Sequence, residues 1–278
     1  MLIAAACSVL LLTPHAHRLD ARDDASLVEN PDINVRGMFS WAKPNDRMVT
    51  KLFKGDPCGV DAYVEDFADD RATAIALPGH TLGHHGFLTA DGVFFTGDAL
   101  YLRDLWEQHP IPYAIDPGMV VRSLERVRGM EFDWLVPGHG RPVRREEAVE
   151  SIDHHIAQVH AVEALLLDRL REPRTTEQAV ALVARNRDII ENAAAYWLAV
   201  TTVKGYLGEL LGRGELEFFV RDFTGWWRTA EDVRGIDETQ AILSVPNALA
   251  EIAVAEAEID AGDYVTAAQL RAKYLTTE

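Results

Sequence analysis

The sequence predicts a layered α/β domain over residues 1–145, a helical winged-helix-like domain over residues 146–230 and an acidic helical tail over residues 231–278. Short apolar runs alternate with glycine-containing turns in the first part, whereas long amphipathic segments dominate the second. In the first part, three metal-ligand-type residues each follow a glycine at the end of a predicted strand. Strands followed by helices, with polar residues at the strand ends, indicate a layered α/β domain.

The strands of the α/β domain are predicted from short apolar runs bounded by turn residues. Their predicted positions are residues 8–12, 72–77, 86–89, 92–96 and 132–136. The turn Ala90-Asp91-Gly92 joins the third and fourth of these strands into a hairpin. Residues 119–127 are predicted to form a helix.

The second part begins with a long amphipathic helix, predicted at residues 146–171 and broken at Pro173. Thr175 to Gln178 fits a capping box that starts another helix. Apolar residues from Tyr196 to Leu211 then recur at helical spacing. Strands at residues 216–220 and 226–227, joined by a turn at 222–225, complete a winged-helix pattern. The longest helix has no basic surplus, which favours a core-packing extension over a DNA-binding module.

Composition and charge argue against several classes of function. The apolar fraction of 48% and the charged fraction of 26% are typical of a soluble globular protein. A formal net charge of −17 argues against binding to nucleic acid or to anionic membranes. Cys7 and Cys58 lie far apart with no C-x-x-C pattern, so the sequence suggests neither a disulfide framework nor a cysteine metal site, which fits a reducing cytoplasm.

The apolar N-terminus has no Lys or Arg before its apolar run, and the run is shorter than a membrane span. It is therefore interpreted as a buried helix end and a core strand rather than as a signal peptide. No Gly-x-Gly-x-x-Gly fingerprint, P-loop or Gly-x-Ser-x-Gly elbow occurs.

The candidate metal ligands are His80 in Pro78-Gly79-His80-Thr81, Asp98 in Thr96-Gly97-Asp98-Ala99 and His139 in Pro137-Gly138-His139-Gly140. Two imidazoles and one carboxylate are a common ligand set for zinc, and also for manganese or iron. The glycine before each ligand lets the loop turn sharply and lets the backbone approach an ion.

The order and spacing of these motifs resemble the metallo-β-lactamase superfamily of hydrolases, over about residues 8–145. The resemblance implies an αββα sandwich that binds up to two divalent transition metals, zinc foremost. In that scheme His80 binds the first metal, Asp98 bridges the two, and His139 binds the second. Metal-activated water would then hydrolyse a small-molecule ester, thioester or phosphoester.

The superfamily's upstream His-x-His-x-Asp-His box is not intact, because the chain has only His15, His17 and Asp20 in that region. Either these residues form a degenerate metal loop, or the domain is N-terminally shortened and the box preceded Met1. The second hypothesis is favoured, because in the branch that the chain resembles, Glu29-Asn30-Pro31 follows a strand and helix that come after the box. The alternative to a hydrolase is then a catalytically silent scaffold.

Residues 146–228 resemble the C-terminal winged-helix extension of the glyoxalase II-like branch of this superfamily. In the tail, Leu249, Ile252, Ala255 and Ile259 form an apolar stripe that must be buried against the main body, a second copy or a partner protein. Residues 248–270 are also similar to the end of prevent-host-death type antitoxins, which implies a toxin or other protein partner.

The remaining histidines have weaker claims to a catalytic role. Either His84 or His85, close to His80, could be a substitute ligand or a proton carrier, but an ordinary loop or strand-start role is favoured. His109, in the loop before Pro110, is interpreted as a surface or packing residue. The same interpretation applies to the histidines of the long helix, which are His154, His155 and His160.

Overall fold

A computed structural model of the chain describes residues 8–9, 18–45, 49, 53–106 and 110–230. The chain divides into a unit Met1–Ala230 and a second unit Glu231–Glu278. Predictions for His15, His17, His109 and Cys7, and for the whole acidic tail, concern residues outside the described ranges.

The helices of the described chain are α1 (Arg22–Glu29), α2 (Pro31–Met38), α3 (Pro117–Arg128), α4 (Arg145–Arg169), α5 (Thr176–Asn186) and α6 (Ala193–Gly212). Its strands are β1 (Ser8–Val9), β2 (Arg18–Asp20), β3 (Ala62–Tyr63), β4 (Ala72–Ala76), β5 (His85–Thr89), β6 (Val93–Gly97), β7 (Trp134–Pro137), β8 (Val143–Arg144), β9 (Leu216–Arg221) and β10 (Thr224–Thr229). The mixed α/β class predicted from the sequence is confirmed.

The main sheet has five strands in the order β4-β5-β6-β7-β8. β5 is antiparallel to both β4 and β6, whereas β6 is parallel to β7. Strands β4, β6 and β7 therefore run in the same direction and end at the same edge of the sheet. The residues that follow these three strands must consequently lie near one another.

One face of this sheet is covered by α3 and α4. Phe94 and Leu135 from the sheet pack with Leu124 of α3 and Ile152 of α4 in a single buried cluster. The predicted helix at residues 119–127 is confirmed as α3, which begins earlier because Asp116 caps it through the N–H of Met119 at 2.7 Å.

The other face of the sheet meets a smaller cluster, in which Phe87 packs with Ala21 and Val64. Residues of β1, β2 and β3 form a separate three-stranded sheet, with β1 antiparallel and β3 parallel to β2. The strand predicted at residues 8–12 is described only over Ser8–Val9.

A second core forms where the later half of α4 packs with α5, α6 and β9. Leu166, Val183, Leu207 and Leu216 are buried in it. The predicted capping box is confirmed, because Thr175 Oγ1 accepts from the N–H of Gln178, whose side chain accepts from the N–H of Thr175. Helix α4 contributes to both cores and so ties the sheet to the helical part.

Two strands begin two residues away from their predicted first residue, whereas the starts of the other predicted strands in the main sheet and of β9 agree to within one residue. The turn between β9 and β10 is only Asp222 and Phe223, both with positive φ (52° and 56°), which matches a tight two-residue hairpin turn. Thr224 and Gly225, predicted as turn residues, therefore belong to β10. The strand predicted at residues 132–136 begins only at Trp134.

Among the described residues, none of the helices is both long enough and apolar enough to cross a membrane.

Truncating the second core should destabilise the protein far more than truncating its surface. Leu207 is fully buried on α6, whereas Leu211, one turn later, is 41% exposed. We expect Leu207→Ala to lower the free energy of unfolding by about 2–5 kcal/mol, through lost burial and a residual cavity. Leu211→Ala should cost less than about 1 kcal/mol. Urea unfolding followed by circular dichroism tests this, and equal losses would contradict the packing described.

Candidate metal centre

The three predicted ligands meet at the edge where β4, β6 and β7 end. His80 follows β4 in the chain, Asp98 follows β6 and His139 follows β7. The backbone N–H of Gly138 donates to the carbonyl of Gly97 at 2.7 Å, which holds the second and third loops side by side. The sheet topology thus brings together residues that are 18 to 59 positions apart in the sequence.

The carboxylate of Asp98 lies between the two imidazoles. His80 Nε2 is 3.6 Å from Asp98 Oδ2, and His139 Nε2 is 3.4 Å from Asp98 Oδ1. The side chains of His80 and Asp98 are 7% and 17% exposed, whereas His139 is 34% exposed. The centre is therefore closed on the His80 side and open to solvent on the His139 side.

The tautomer of His80 is determined by its backbone partner. Its Nδ1 lies 3.0 Å from the carbonyl oxygen of Tyr113, which can only accept a hydrogen bond. Nδ1 therefore carries the proton in the neutral ring, and Nε2 presents a lone pair towards the carboxylate. Burial lowers the pKa of His80, although Asp98 and the Tyr113 carbonyl oppose that shift. A neutral Nε2 facing a carboxylate is repulsive unless a cation lies between them.

The spacing fits a metal ion between each facing pair. Two ligand atoms about 2.0–2.1 Å from a tetrahedral ion are roughly 3.3 Å apart, close to both observed separations. Within the described ranges, however, no three such donors converge on a single point. Each oxygen of Asp98 faces its own imidazole, so the arrangement resembles two half-sites that share one carboxylate.

Two glycines are required by this geometry. Gly79 has φ +136°, and a Cβ there would lie 2.5 Å from the backbone nitrogen of Val120. A Cβ on Gly138 would lie 2.3 Å from Asp98 Oδ1. Glycine therefore admits the turn with positive φ before His80 and the close approach of the Gly138 backbone to Asp98.

His84 packs beneath the centre. Its Nε2 donates to the carbonyl of Thr96 at 3.0 Å, and its ring lies 5.6 Å from the ring of His80. Burial, together with the nearby His80, lowers the pKa of His84 to about 4. Because Nε2 is used by a backbone carbonyl, the contacts favour a packing role over that of a substitute ligand. His85 bonds locally, through Nδ1 to the carbonyl of Gly83 at 2.6 Å.

Asp24 of α1 braces the loop that carries His80, a role that the sequence did not predict. Its carboxylate accepts from the hydroxyl of Thr81 and, at 3.1 Å, from the N–H of Gly83. Asp24 is buried, and it lies more than fifty positions before its partners. Only the folded chain makes this contact visible, because nothing distinguishes Asp24 from Asp23 in the sequence.

The His139 side is lined by aromatic rings. The ring of Tyr101 lies 6.0 Å from that of His139 and 6.3 Å from that of His155 on α4. His155 is buried against Trp106, at 5.2 Å between rings, and burial lowers its pKa to about 3. His155 is thus a neutral packing residue. His160 instead pairs with Glu163, with 2.9 Å between Nδ1 and Oε2.

Asp20 has no contact with the other proposed ligands among the described residues. It is 7% exposed; its Oδ1 accepts from the N–H of Ala21 at 2.8 Å, and its Oδ2 has no hydrogen-bond partner within the part of the chain that the structure describes. Burial raises the pKa of Asp20 from 3.8 to about 6; Asp24 and Glu65 add to the shift, and the Ala21 N–H opposes it.

Comparisons with known proteins agree with this architecture. A metallo-β-lactamase family protein from Thermus thermophilus superimposes with a TM-score of 0.55 at 17% identity, covering 76% of this chain and 71% of that one. At this level of identity the likeness shows a shared fold. A β-lactamase domain protein from Burkholderia ambifaria gives a TM-score of only 0.41 at 23% identity, over 57% of this chain and 47% of that one.

One curated relative matches a short segment. The N-acyl homoserine lactonase AttM from Rhizobium johnstonii is 32% identical over 73 residues. The match spans 24% of this chain and 28% of the lactonase, so less than a third of that enzyme is represented. No protein-family profile matches the chain.

Asp20 should make the stability of the protein depend on pH. Because the pKa is raised in the folded state, the folded protein holds this proton more tightly than the unfolded chain does. The associated stabilisation is complete below about pH 4 and is lost as the pH rises through about 6. We therefore expect the free energy of unfolding of Asp20→Asn, relative to that of the wild type, to rise by roughly 1–2 kcal/mol from pH 4.5 to pH 7.5. Urea unfolding across this range measures it.

The exposed neighbour Asp23 provides the matched control, since Asp23→Asn removes the same charge from a solvated position. The difference in free energy of unfolding between Asp23→Asn and the wild type should not change over the same pH range. If the difference for Asp20→Asn does not change either, the result would contradict the burial of the Asp20 carboxylate.

Proposed function

We propose that this chain, whose fold is that of the metallo-β-lactamase superfamily, is a metal-dependent hydrolase centred on His80, Asp98 and His139. One observation carries the proposal. Two imidazole Nε2 atoms face opposite oxygens of one carboxylate, and at least the His80 nitrogen presents a lone pair there. The pairing is unfavourable without a cation and favourable with one.

His80, Asp98 and His139 have different roles in the proposed centre. His80 and Asp98 Oδ2 would hold one ion, and His139 and Asp98 Oδ1 a second, with the shared carboxylate offsetting the repulsion between two cations. When bound, a divalent ion supplies a nucleophilic water at neutral pH and polarises the bond to be cleaved. The Tyr113 carbonyl orients His80, as partners of metal-bound histidines commonly do. Zinc suits this donor set, and iron or manganese is also compatible.

Completing the ligand set requires donors beyond these three, since zinc centres use three or four protein ligands per ion. Candidates are Asp20 together with His15 and His17, which lie outside the described residues. If they do not contribute, the second candidate function applies, in which the chain is a catalytically silent scaffold. The observation behind that alternative is that each half-site has two donors among the described residues.

The substrate class proposed is a small ester in the broad sense: a carboxylic ester or lactone, a thioester or a phosphoester. The partial match to a lactonase supports a lactone as the first compound to test. The more open His139 side provides access for such a molecule. The low cysteine content suits a cytoplasmic location.

The helical part is proposed to be a winged-helix-like extension of the glyoxalase II type. Helices α5 and α6 are followed by the β9–β10 hairpin, in which Trp227 Nε1 donates to Thr176 Oγ1 at 3.0 Å. The apolar face of α6, including Val203, Tyr206 and Leu207, is buried in the second core. This burial supports a packing role for the extension rather than DNA recognition.

Metal content is the direct test of the centre. After purification without chelator and loading with zinc, manganese or iron, elemental mass spectrometry should find about two divalent ions per chain. Asp98→Asn should lose most of this metal, because both half-sites share the carboxylate. His160→Ala is the matched control, since this histidine pairs with Glu163 on α4, away from the centre. Metal retained by Asp98→Asn would contradict the assignment.

Turnover tests the chemistry separately. We expect the metal-loaded chain to hydrolyse at least one of an N-acyl homoserine lactone, a glutathione thioester and bis(p-nitrophenyl) phosphate. His139→Ala and Asp98→Asn should lower kcat/KM by at least about 100-fold, and His160→Ala by less than about twofold. Full metal occupancy without turnover of any of the three would support the silent scaffold instead.

A further inference from the structure

A groove between α4 and α5, on the side of the helical part, combines an apolar floor with arginines at its rim. Its volume is about 480 Å³. Leu165, Ala181 and Leu182 form the floor, and Arg169, Arg174 and Arg185 stand around it. We call it the arginine groove.

The lining residues occupy one face of each helix. Leu165 and Arg169 are one turn apart on α4, and Ala181, Leu182 and Arg185 lie within about one turn on α5. Side chains three or four positions apart share a helix face. Leu165 and Leu182 are half-buried and pack against the second core, so the floor rests on a rigid support.

Arg174 is held in place at the end of the groove. Its backbone N–H donates to the carbonyl of Trp227 at 3.0 Å and its carbonyl accepts from the N–H of Trp227 at 2.8 Å. Its Nε donates to the carbonyl of Arg169 at 3.1 Å. A side chain fixed before a partner binds loses less conformational entropy on binding.

The charge of the groove is opposite to that of the protein. The chain carries 44 acidic against 27 basic residues, yet the described residues that line this cavity include three arginines and no Asp or Glu. Among the described residues, neither Arg174 nor Arg185 is within ion-pair distance of a carboxylate, whereas Arg169 pairs with the adjacent Asp168 at 3.3 Å.

We propose that the arginine groove docks an acidic amphipathic helix of a partner protein. The apolar stripe of such a helix would cover Leu165, Ala181 and Leu182, and its flanking carboxylates would pair with the arginines. Helices that lay an apolar face into a groove are recognised in this way, and complementary charges at the rim set specificity. A nucleic acid would leave the leucine floor uncovered and would meet a strongly acidic protein, so it fits less well.

Binding is tested with the full chain and designed peptides. The probe is a fluorescein-labelled 18-residue helix, about five turns long, with leucine along one face and glutamate on the flanks. One comparison peptide has lysine in place of glutamate, and another has serine in place of leucine. Fluorescence anisotropy should show binding of the acidic amphipathic peptide and at least about tenfold weaker binding of both others.

Variants locate the site. Arg185→Glu changes an exposed side chain and should weaken binding at least about tenfold, and Ala181→Gln should weaken it by obstructing the floor. Arg122→Glu, at an exposed arginine of α3 outside the groove, is the matched control and should bind normally. The proposal is overturned if the serine peptide binds as tightly as the acidic amphipathic peptide, or if Arg122→Glu weakens binding as much as Arg185→Glu does. Displacement of the peptide by a DNA duplex would also overturn it.

Discussion

The common direction of β4, β6 and β7 is the constraint on which the centre depends. Because β5 is antiparallel to both of its neighbours and β7 is parallel to β6, three strand ends coincide at one edge. His80, Asp98 and His139 come from those ends, and the hydrogen bond from Gly138 to Gly97 keeps the last two loops in contact. A different strand order or direction would separate the same three residues without changing any local motif.

Buried polar contacts give the loops their shape. The Tyr113 carbonyl orients His80, the Thr96 carbonyl holds His84, and the carboxylate of Asp24 accepts from Thr81 and Gly83. In a low-dielectric interior such bonds are strong, and an unpaired group is costly, so each contact resists rearrangement. The arrangement around Asp98 therefore follows from the fold itself, which is the pre-organisation that metal ligands require.

Similar histidines acquire different roles from their surroundings. His80 and His139 direct Nε2 at a carboxylate, His84 donates to a carbonyl, His155 is enclosed by aromatic rings and His160 pairs with a glutamate. Helix α4 carries two of these residues and takes part in both cores. The long helix thus couples the sheet that positions the candidate ligands to the helical part that carries the arginine groove.

The sequence by itself determined the mixed α/β class, most helices and strands, and the loops that carry the three candidate ligands, because periodicity, capping residues and glycine turns are local signals. It made the β9–β10 turn two residues too long, since a run of two non-glycine residues with positive φ has no strong local signature. Only the tertiary structure revealed the bracing by Asp24, the orphaned oxygen of Asp20 and the arginine groove. Each joins residues distant in sequence, and such contacts depend on strand order and helix packing, which no local pattern encodes.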